Sequence, residues 1–345
     1  MPEGHTVHRL ADALTARLGG REVAASSPQG RFTDGAATID GHRLDRVTAH
    51  GKHLFFELAG ADAPVLHVHL GLGGRVEGGE GPPPEARGAI RLRLVADDAW
   101  MDLRMPMICE LVDASRRDAI VARLGPDLID GDPDPAAARV RVTRSRVAIG
   151  ALLLDQAFFA GIGNAYRAEA LYRCGIDPRT PGRDLATKRF DALYAECRRL
   201  LAEGRRTGRV MTVDEADLHG PLGEAAIAAD VGALAGFDRE VDDDEDLTLE
   251  DVARGRSVAR ARARQAYVYG RTRLPCRRCG TPIRTALVGG RDAYWCPRCQ
   301  HRLRRRASAT GGSRGGSGRA SKAGSTKAGT DKAGSTKAGS GRASG

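Results

Sequence analysis

The sequence predicts an α+β protein: an antiparallel sheet near the N-terminus, then helices, then a small metal-bound hairpin. Three observations predict it. From about residue 22 to 110, short segments alternate apolar and polar residues between Gly/Pro-rich turns, the period-two signature of half-buried strands. After Asp113 the apolar residues recur at helical spacing to about residue 204. Near residue 300, four cysteines form two Cys-x-x-Cys pairs.

The elements follow in order. Residues 4–18 place Val7, Leu10, Ala11, Leu14 and Leu18 on one face of an amphipathic helix. VLHVHL (65–70), AIRLRLV (89–95) and WMDLRM (100–105) read as strands. IGALLLDQAFFAGIGNAYRAEALY (149–172) reads as helix, tight glycine turn, helix, with Asn164 opening the second. Phe190, Leu193, Tyr194, Cys197, Leu200 and Leu201 mark one face of a further helix, for which Gly204 offers a stop. Residues 223–264 look inserted, Ala-rich and then acidic, and a short strand pair is expected from Ala266. From Arg306 onward the chain is Gly/Ser/Ala/Lys with a KAGST-like repeat, a composition that buries no core and predicts disorder.

Composition narrows the function classes. A hydrophobic fraction of 41% supports a real core, while no apolar stretch reaches membrane-spanning length and the start lacks a signal-peptide pattern. Seven cysteines, an odd number with four paired by spacing, point to a reducing cytosol and a metal rather than disulfides. Cys109, Cys174 and Cys197 read as buried thiols. The net charge of +10 is uneven: residues 302–345 hold 11 Lys/Arg and one Asp, whereas residues 238–251 hold nine acidic residues and one Arg. A basic body with a basic tail suggests a polyanionic partner, although such tails also serve solubility.

Four positions near the start carry the sharpest chemistry: Pro2-Glu3-Gly4-His5. Trimming of the initiator Met before the small Pro2 would leave a free secondary amine beside a carboxyl group. An α-amine has a reference pKa of about 8 against about 10.4 for lysine, so it is the more available nucleophile at neutral pH. Condensed with an aldehyde carbon, a secondary amine yields a permanently cationic iminium, an electron sink for elimination. The Met-Pro start also occurs by chance, and an N-terminal Glu is usually solvated.

Cys276-x2-Cys279-x16-Cys296-x2-Cys299 is the strongest local signal, four thiolates fit for one tetrahedral structural Zn2+. Iron in the same cage, or a redox dithiol, is the alternative. Arg284 and Arg291 lie between the two pairs, placed to meet phosphates. Gly161, Gly163 and Asn164 form a corner of exposed amides suited to a phosphate, or else an ordinary helix hairpin. Lys52 after Gly51 reads most simply as solvated, and His67 and His69 as sheet-face residues. Leu72 is an apolar tip inside Gly71-Leu72-Gly73-Gly74, unusual unless something covers it.

Together, MPEG (1–4), GKHL (51–54), HLGLGG (69–74), RLGPD (123–127), LLLDQAFFAGIGNAYRAE (152–169) and CxxCG…R…YWCPRCQ (276–300) make residues 1–300 resemble the bacterial formamidopyrimidine-DNA glycosylase / endonuclease VIII family, nearer its actinobacterial endonuclease VIII branch. The resemblance implies an N-terminal β-sandwich domain with its helix (1–112), a helix–two-turn–helix domain (113–222), a charged insertion (223–264), a zinc finger (265–301) and a basic tail (302–345). It implies a bifunctional DNA glycosylase/AP lyase of base excision repair, acting on oxidised bases, pyrimidines first, by β,δ-elimination. Pro2 then matches the nucleophile, Glu3 the acid that opens the sugar ring, Lys52 the proton donor of β-elimination, and Arg291 the arginine tied to δ-elimination. Arg123 and Asn164 match DNA-contacting positions, and Leu72, flanked by Gly71, the side chain that fills the gap left by an everted nucleotide. The implied partner is damaged double-stranded DNA, with single-stranded or bubble DNA left open. The implied molecule is a monomer in the cytoplasm at the nucleoid, without membrane association. An oxidised-purine glycosylase and a non-catalytic zinc-containing DNA-binding protein are the other readings. An acidic 238–251 run that repels DNA or masks the basic tail is a further expectation.

Overall fold

The computed structural model describes residues 2–60, 63–219, 221–234 and 266–304. The acidic run at 238–251 and the basic tail from residue 305 on, on which two of the expectations above fall, lie outside the described residues. Among the described residues no helix is long and apolar enough to cross a membrane.

The first half opens with α1 (Gly4–Leu18), β1 (Arg21–Ser26), the short α2 (Thr33–Ile39), β2 (His42–His50), β3 (His53–Leu58) and β4 (Val65–His69). β5 (Arg75–Glu80), β6 (Ile90–Ala96), β7 (Ala99–Arg104) and β8 (Ile108–Val112) complete it. The alternating segments of the sequence are therefore strands, and all of their pairings are antiparallel. The strand order is β5-β7-β6-β1-β2-β3-β4-β8. β1 is the fold line of the sandwich: Arg21–Val23 pair with β2, while Ala24–Ser26 pair with β6. Val7, Ala11, Leu14 and Leu18 of α1 enter one core with Leu44, Leu54, Phe56, Leu92 and Leu103 from the strands.

The second half is helical: α3 (Ala114–Ala122), α4 (Ala136–Arg144), α5 (Ile149–Leu152), α6 (Asn164–Arg173) and α7 (Thr187–Thr207). Its core gathers Val142, Leu153, Phe159, Ile162, Tyr166, Phe190, Tyr194 and Leu201. Two details differ from the sequence reading. The segment before the glycine turn is a helix for only four residues, and 153–163 is a run of turns stabilised by backbone and Gln156 hydrogen bonds. Gly204 does not stop α7; the helix continues to Thr207 and ends on Gly208 in the left-handed conformation. Gly204 instead makes room, since a Cβ there would sit 1.9 Å from the Tyr166 hydroxyl.

α8 (Pro221–Leu234) follows, so the start of the expected insertion is helical. Its Asp230 is buried between Arg271, 2.9 Å away, and Arg277, 2.5 Å away. No strand pair forms at 266. Tyr267, Val268 and Tyr269 instead donate their backbone N–H groups to the buried Glu169 carboxylate of α6, at 2.8–2.9 Å. That carboxylate outcompetes a ladder because it satisfies three amides at one point. β9 (Arg284–Val288) and β10 (Arg291–Trp295) then form a hairpin between the two cysteine pairs.

Candidate active site

The N-terminal segment is clamped onto the start of α6. Gly4 N–H donates to the Gly161 carbonyl at 2.8 Å, and a Cβ on Gly4 would lie 2.7 Å from Gly161 Cα, so only glycine permits the approach. The Glu3 side chain, 3% exposed, then reaches the first amides of α6. Its oxygens accept from Gly163 N at 2.9 Å, Ala165 N at 2.8 Å and Tyr166 N at 3.4 Å. The N-cap of α6 is Gly163, which has no side chain to cap with. Glu3 supplies that cap from 160 residues away, where the helix macrodipole favours a carboxylate. Pro2 is buried beside it.

Lys52 enters the same corner from the β2–β3 turn. Its Nζ donates to the Ile162 carbonyl at 2.6 Å. Gln156 Nε2 donates to that carbonyl too, at 3.0 Å, while Gln156 Oε1 accepts from Gly161 N at 3.1 Å, which fixes the turn facing the lysine. Burial, aided by the charge of Arg291 and opposed by Glu3, holds the Lys52 ammonium below its usual value. An ammonium so placed gives up a proton more readily than a surface lysine. The turn itself is pinned by Asp127, whose Oδ2 accepts from Gly51 N at 2.6 Å and His8 Nε2 at 2.8 Å.

Arg291 opens β10, and its carrier is braced by the fully buried Arg167. The Arg167 guanidinium donates to Asn164 Oδ1, to the Val288 carbonyl at 2.8 Å and to the Asp292 carbonyl at 2.6 Å. Burial brings Arg167 down to about 10 despite the neighbouring Glu3 charge. Glu3, Lys52 and Arg291 thus lie within electrostatic reach of one another, and Asn164 sits at the same helix start.

Gly71, Leu72 and Arg123 lie outside this cluster. Leu72 is 68% exposed at the tip of its turn, and Gly71, at φ +71°, lies so close to Met107 that a Cβ would come within 2.8 Å of the Met107 Cβ. Met107 is 65% exposed, and Met105 is also exposed, so the apolar tip includes side chains from the β7–β8 connection. Arg123 is exposed at the end of α3, close enough to His53 to depress its basicity.

The sequence reading missed Asp127, Gln156, Arg167, Glu169 and the two methionines. Asp127, Gln156, Arg167 and Glu169 stood inside quoted motifs, which was the signal available for them.

The four cysteine sulfurs lie within 4.8 Å of one another, with Sγ–Sγ separations of 3.8 Å for Cys276–Cys299 and 3.5 Å for Cys279–Cys296 and Cys279–Cys299. A tetrahedral ion with bonds of about 2.3 Å needs sulfurs about 3.8 Å apart, so the donor set fits. Cys276, Cys279, Cys296 and Cys299 hold one structural Zn2+. Tyr172 places its hydroxyl 3.1 Å from Cys276 Sγ, tying α6 to the ligand set.

Three domain families match in order: the Formamidopyrimidine-DNA glycosylase N-terminal domain over residues 1–106, the Formamidopyrimidine-DNA glycosylase H2TH domain over 124–215, and the Zinc finger found in FPG and IleRS over 273–302. Fold and site together define a DNA glycosylase of base excision repair that is also an AP lyase. Endonuclease 8 1 of Mycobacterium tuberculosis is 41% identical over 304 residues, covering 87% of this chain and all of the relative. The probable endonuclease 8 2 of Streptomyces coelicolor is 30% identical over 87% of this chain and 94% of its own length. The fold is similar to that of the Lactococcus lactis Fpg complex with DNA containing an abasic site, with a TM-score of 0.64, 21% identity, and coverage of 87% and 99%. The chain belongs to the formamidopyrimidine-DNA glycosylase / endonuclease 8 family.

Proposed function

We propose that the chain removes oxidised bases from damaged duplex DNA, pyrimidines in preference, and cleaves the strand by β,δ-elimination from an iminium on Pro2. One observation carries the reading: Glu3 is seated on the first amides of α6 with the Lys52 ammonium, depressed by burial, and Arg291 within reach of its charge.

Eversion of the damaged nucleotide costs a few kcal/mol, least for poorly paired bases, and exposes C1′. The Pro2 nitrogen attacks C1′ as the bond to the base breaks and the base leaves with the electron pair. The proton that the Pro2 nitrogen sheds passes by way of Glu3 to the ring oxygen as its bond to C1′ breaks, which opens the sugar and forms the C=N+ bond. The iminium acidifies C2′; loss of that proton expels the 3′ phosphate, with Lys52 supplying the proton the β-elimination needs. A second elimination expels the 5′ phosphate, steadied by Arg291, and water releases the sugar fragment. Arg123 and Asn164 contact the backbone. Leu72, with Met105 and Met107, fills the vacated stack, recovering part of the eversion cost. The pyrimidine preference rests on the likeness of the chain's start and of its Leu72 turn to the endonuclease VIII branch, and a monomer is the proposed active unit.

Borohydride reduction during reaction with an abasic duplex tests this. A covalent adduct mapping to Pro2 by mass spectrometry is expected, and it disappears when an uncleaved N-terminal tag blocks the amine. An adduct on another residue, or none, sinks the mechanism. Faster release from thymine glycol than from 8-oxoguanine duplexes is expected; the reverse assigns the chain to oxidised purines.

A further inference from the structure

Beside Lys52, the sheet carries four histidines that this mechanism does not use as a group. His50 ends β2, His53 begins β3, and His67 and His69 lie on β4. His67 is 1% exposed. Its Nδ1 lies 2.9 Å from Oε1 of Glu110 on β8, and its Nε2 lies 2.9 Å from Nδ1 of His53. The His69 ring meets His53 edge-on at 4.8 Å, and His69 Nδ1 accepts from Gly71 N at 3.1 Å. His50 Nε2 donates to the Gly125 carbonyl at 3.3 Å.

Hydrogen-bond logic fixes the protons of this chain. An ionised carboxylate only accepts, so His67 donates from Nδ1 to Glu110. A neutral imidazole carries one N–H, so His67 accepts at Nε2 and His53 donates from Nδ1. His53 Nε2 is left as a bare lone pair, and it makes no hydrogen bond among the described residues.

The geometry points to His53 as a phosphate-binding side chain that takes up a proton when the DNA backbone arrives, Glu110 balancing the new charge through His67. This rests on the DNA-binding reading above. The groups around His53 are His50 from β2, Lys52 beside it on the turn pinned by Asp127, His67 and His69 from β4, Glu110 from β8 and Arg123 from α3. In the free protein, burial first and then these neighbouring imidazoles and Arg123 hold His53 down to about 3, so it is neutral at working pH. A phosphodiester changes that balance. Its permanent negative charge offsets the field of Arg123 at His53, and its oxygen is an acceptor. A neutral His53 would turn a lone pair toward that oxygen; a protonated one donates a charge-assisted hydrogen bond.

The sign follows from linkage. A group whose pKa is higher in the complex favours binding at low pH. Affinity falls about tenfold per pH unit between the free and bound values and levels off above the bound one.

Titration calorimetry decides the matter, using the full chain and a duplex bearing a tetrahydrofuran abasic analogue, in two buffers of different protonation enthalpy. The wild type is expected to take up close to one proton per complex at pH 6.5, with Kd weakening up to tenfold per pH unit. His53→Gln abolishes the uptake. Glu110→Gln, at an exposed position and still able to accept from His67, lowers the uptake and flattens the slope even if the first variant folds poorly. Binding without proton uptake, or uptake unchanged in Glu110→Gln, overturns the inference and leaves DNA binding intact. No binding by the wild type overturns both.

Discussion

Replacing Asp127 by Asn keeps the shape of the side chain and removes its charge, and the structure sets the size of the effect. Oδ2 accepts from Gly51 N at 2.6 Å and His8 Nε2 at 2.8 Å, and Oδ1 accepts from Ile129 N at 2.8 Å. An amide offers one oxygen, so its NH2 must face at least one of these donors inside a buried site. Losing charge-assisted bonds worth about 1.5–3 kcal/mol each, and burying an unpaired donor, gives an expected destabilisation of about 3 kcal/mol. At roughly 2–4 °C per kcal/mol for a body of this size, Tm should fall by about 6–12 °C. Burial pushes the Asp127 carboxyl up, but the bond and charge of His8 and the two amides pull it further down, below its ordinary value. Its contribution is therefore present above the unfolded value of about 3.9 and is lost as pH falls through the folded one. Scanning calorimetry of both proteins should show a constant gap from pH 5 to 8 that closes in acid. Strand cleavage should slow more than DNA binding weakens, because the Gly51 turn carries Lys52. An unchanged Tm at pH 7, or a gap that widens in acid, would refute the reasoning.

Gly163→Ala would place a Cβ 2.3 Å from Glu3 Cδ at a backbone conformation alanine adopts freely, so the clash falls on the carboxylate. Base release measured in single turnover should drop on the order of 100-fold, the effect of an ångström-scale misplacement, while stability falls by about 1–3 kcal/mol. Arg167→Met leaves the Val288 and Asp292 carbonyls and the Asn164 side chain without their shared donor; hydrogen exchange at 288–292 should rise at least tenfold, and δ-elimination product should decline relative to β-product on gels. A strong chelator should melt the β9–β10 hairpin, seen as a red shift of the buried Trp295 emission, and abolish duplex binding while far-UV signal from the N-terminal sheet persists.

Much of the architecture was readable because its signals are local. Alternation marked β4, β6 and β7 within a residue at each end, and two Cys-x-x-Cys pairs bracketed the β9–β10 hairpin. Local signals also misled. Gly204 reads as a helix stop because glycine costs helix stability, but the core around Tyr166 rewards the missing side chain. The residues that hold the site together were not legible, because their partners are remote: 119 positions separate His8 from Asp127, and 121 separate Arg167 from Val288. No window of one sequence reveals such pairs. The shortening of α5 has the same origin, since the turns after it are fixed by the side chain of Gln156 and by contact with Gly4.

Because Glu3 serves as the missing cap of α6, neither half of this protein owns its proposed reactive centre. A fragment ending at Val112 would keep the N-terminal amine, the carboxylate and the lysine. It would forfeit the amides that aim the one and the carbonyl that anchors the other. Recombination that paired this sandwich with a foreign helical partner would have to conserve a glycine-lined seam only ångströms deep. Substitutions at the first turn of α6 therefore belong with those at Glu3 and Gly4 when variants are interpreted.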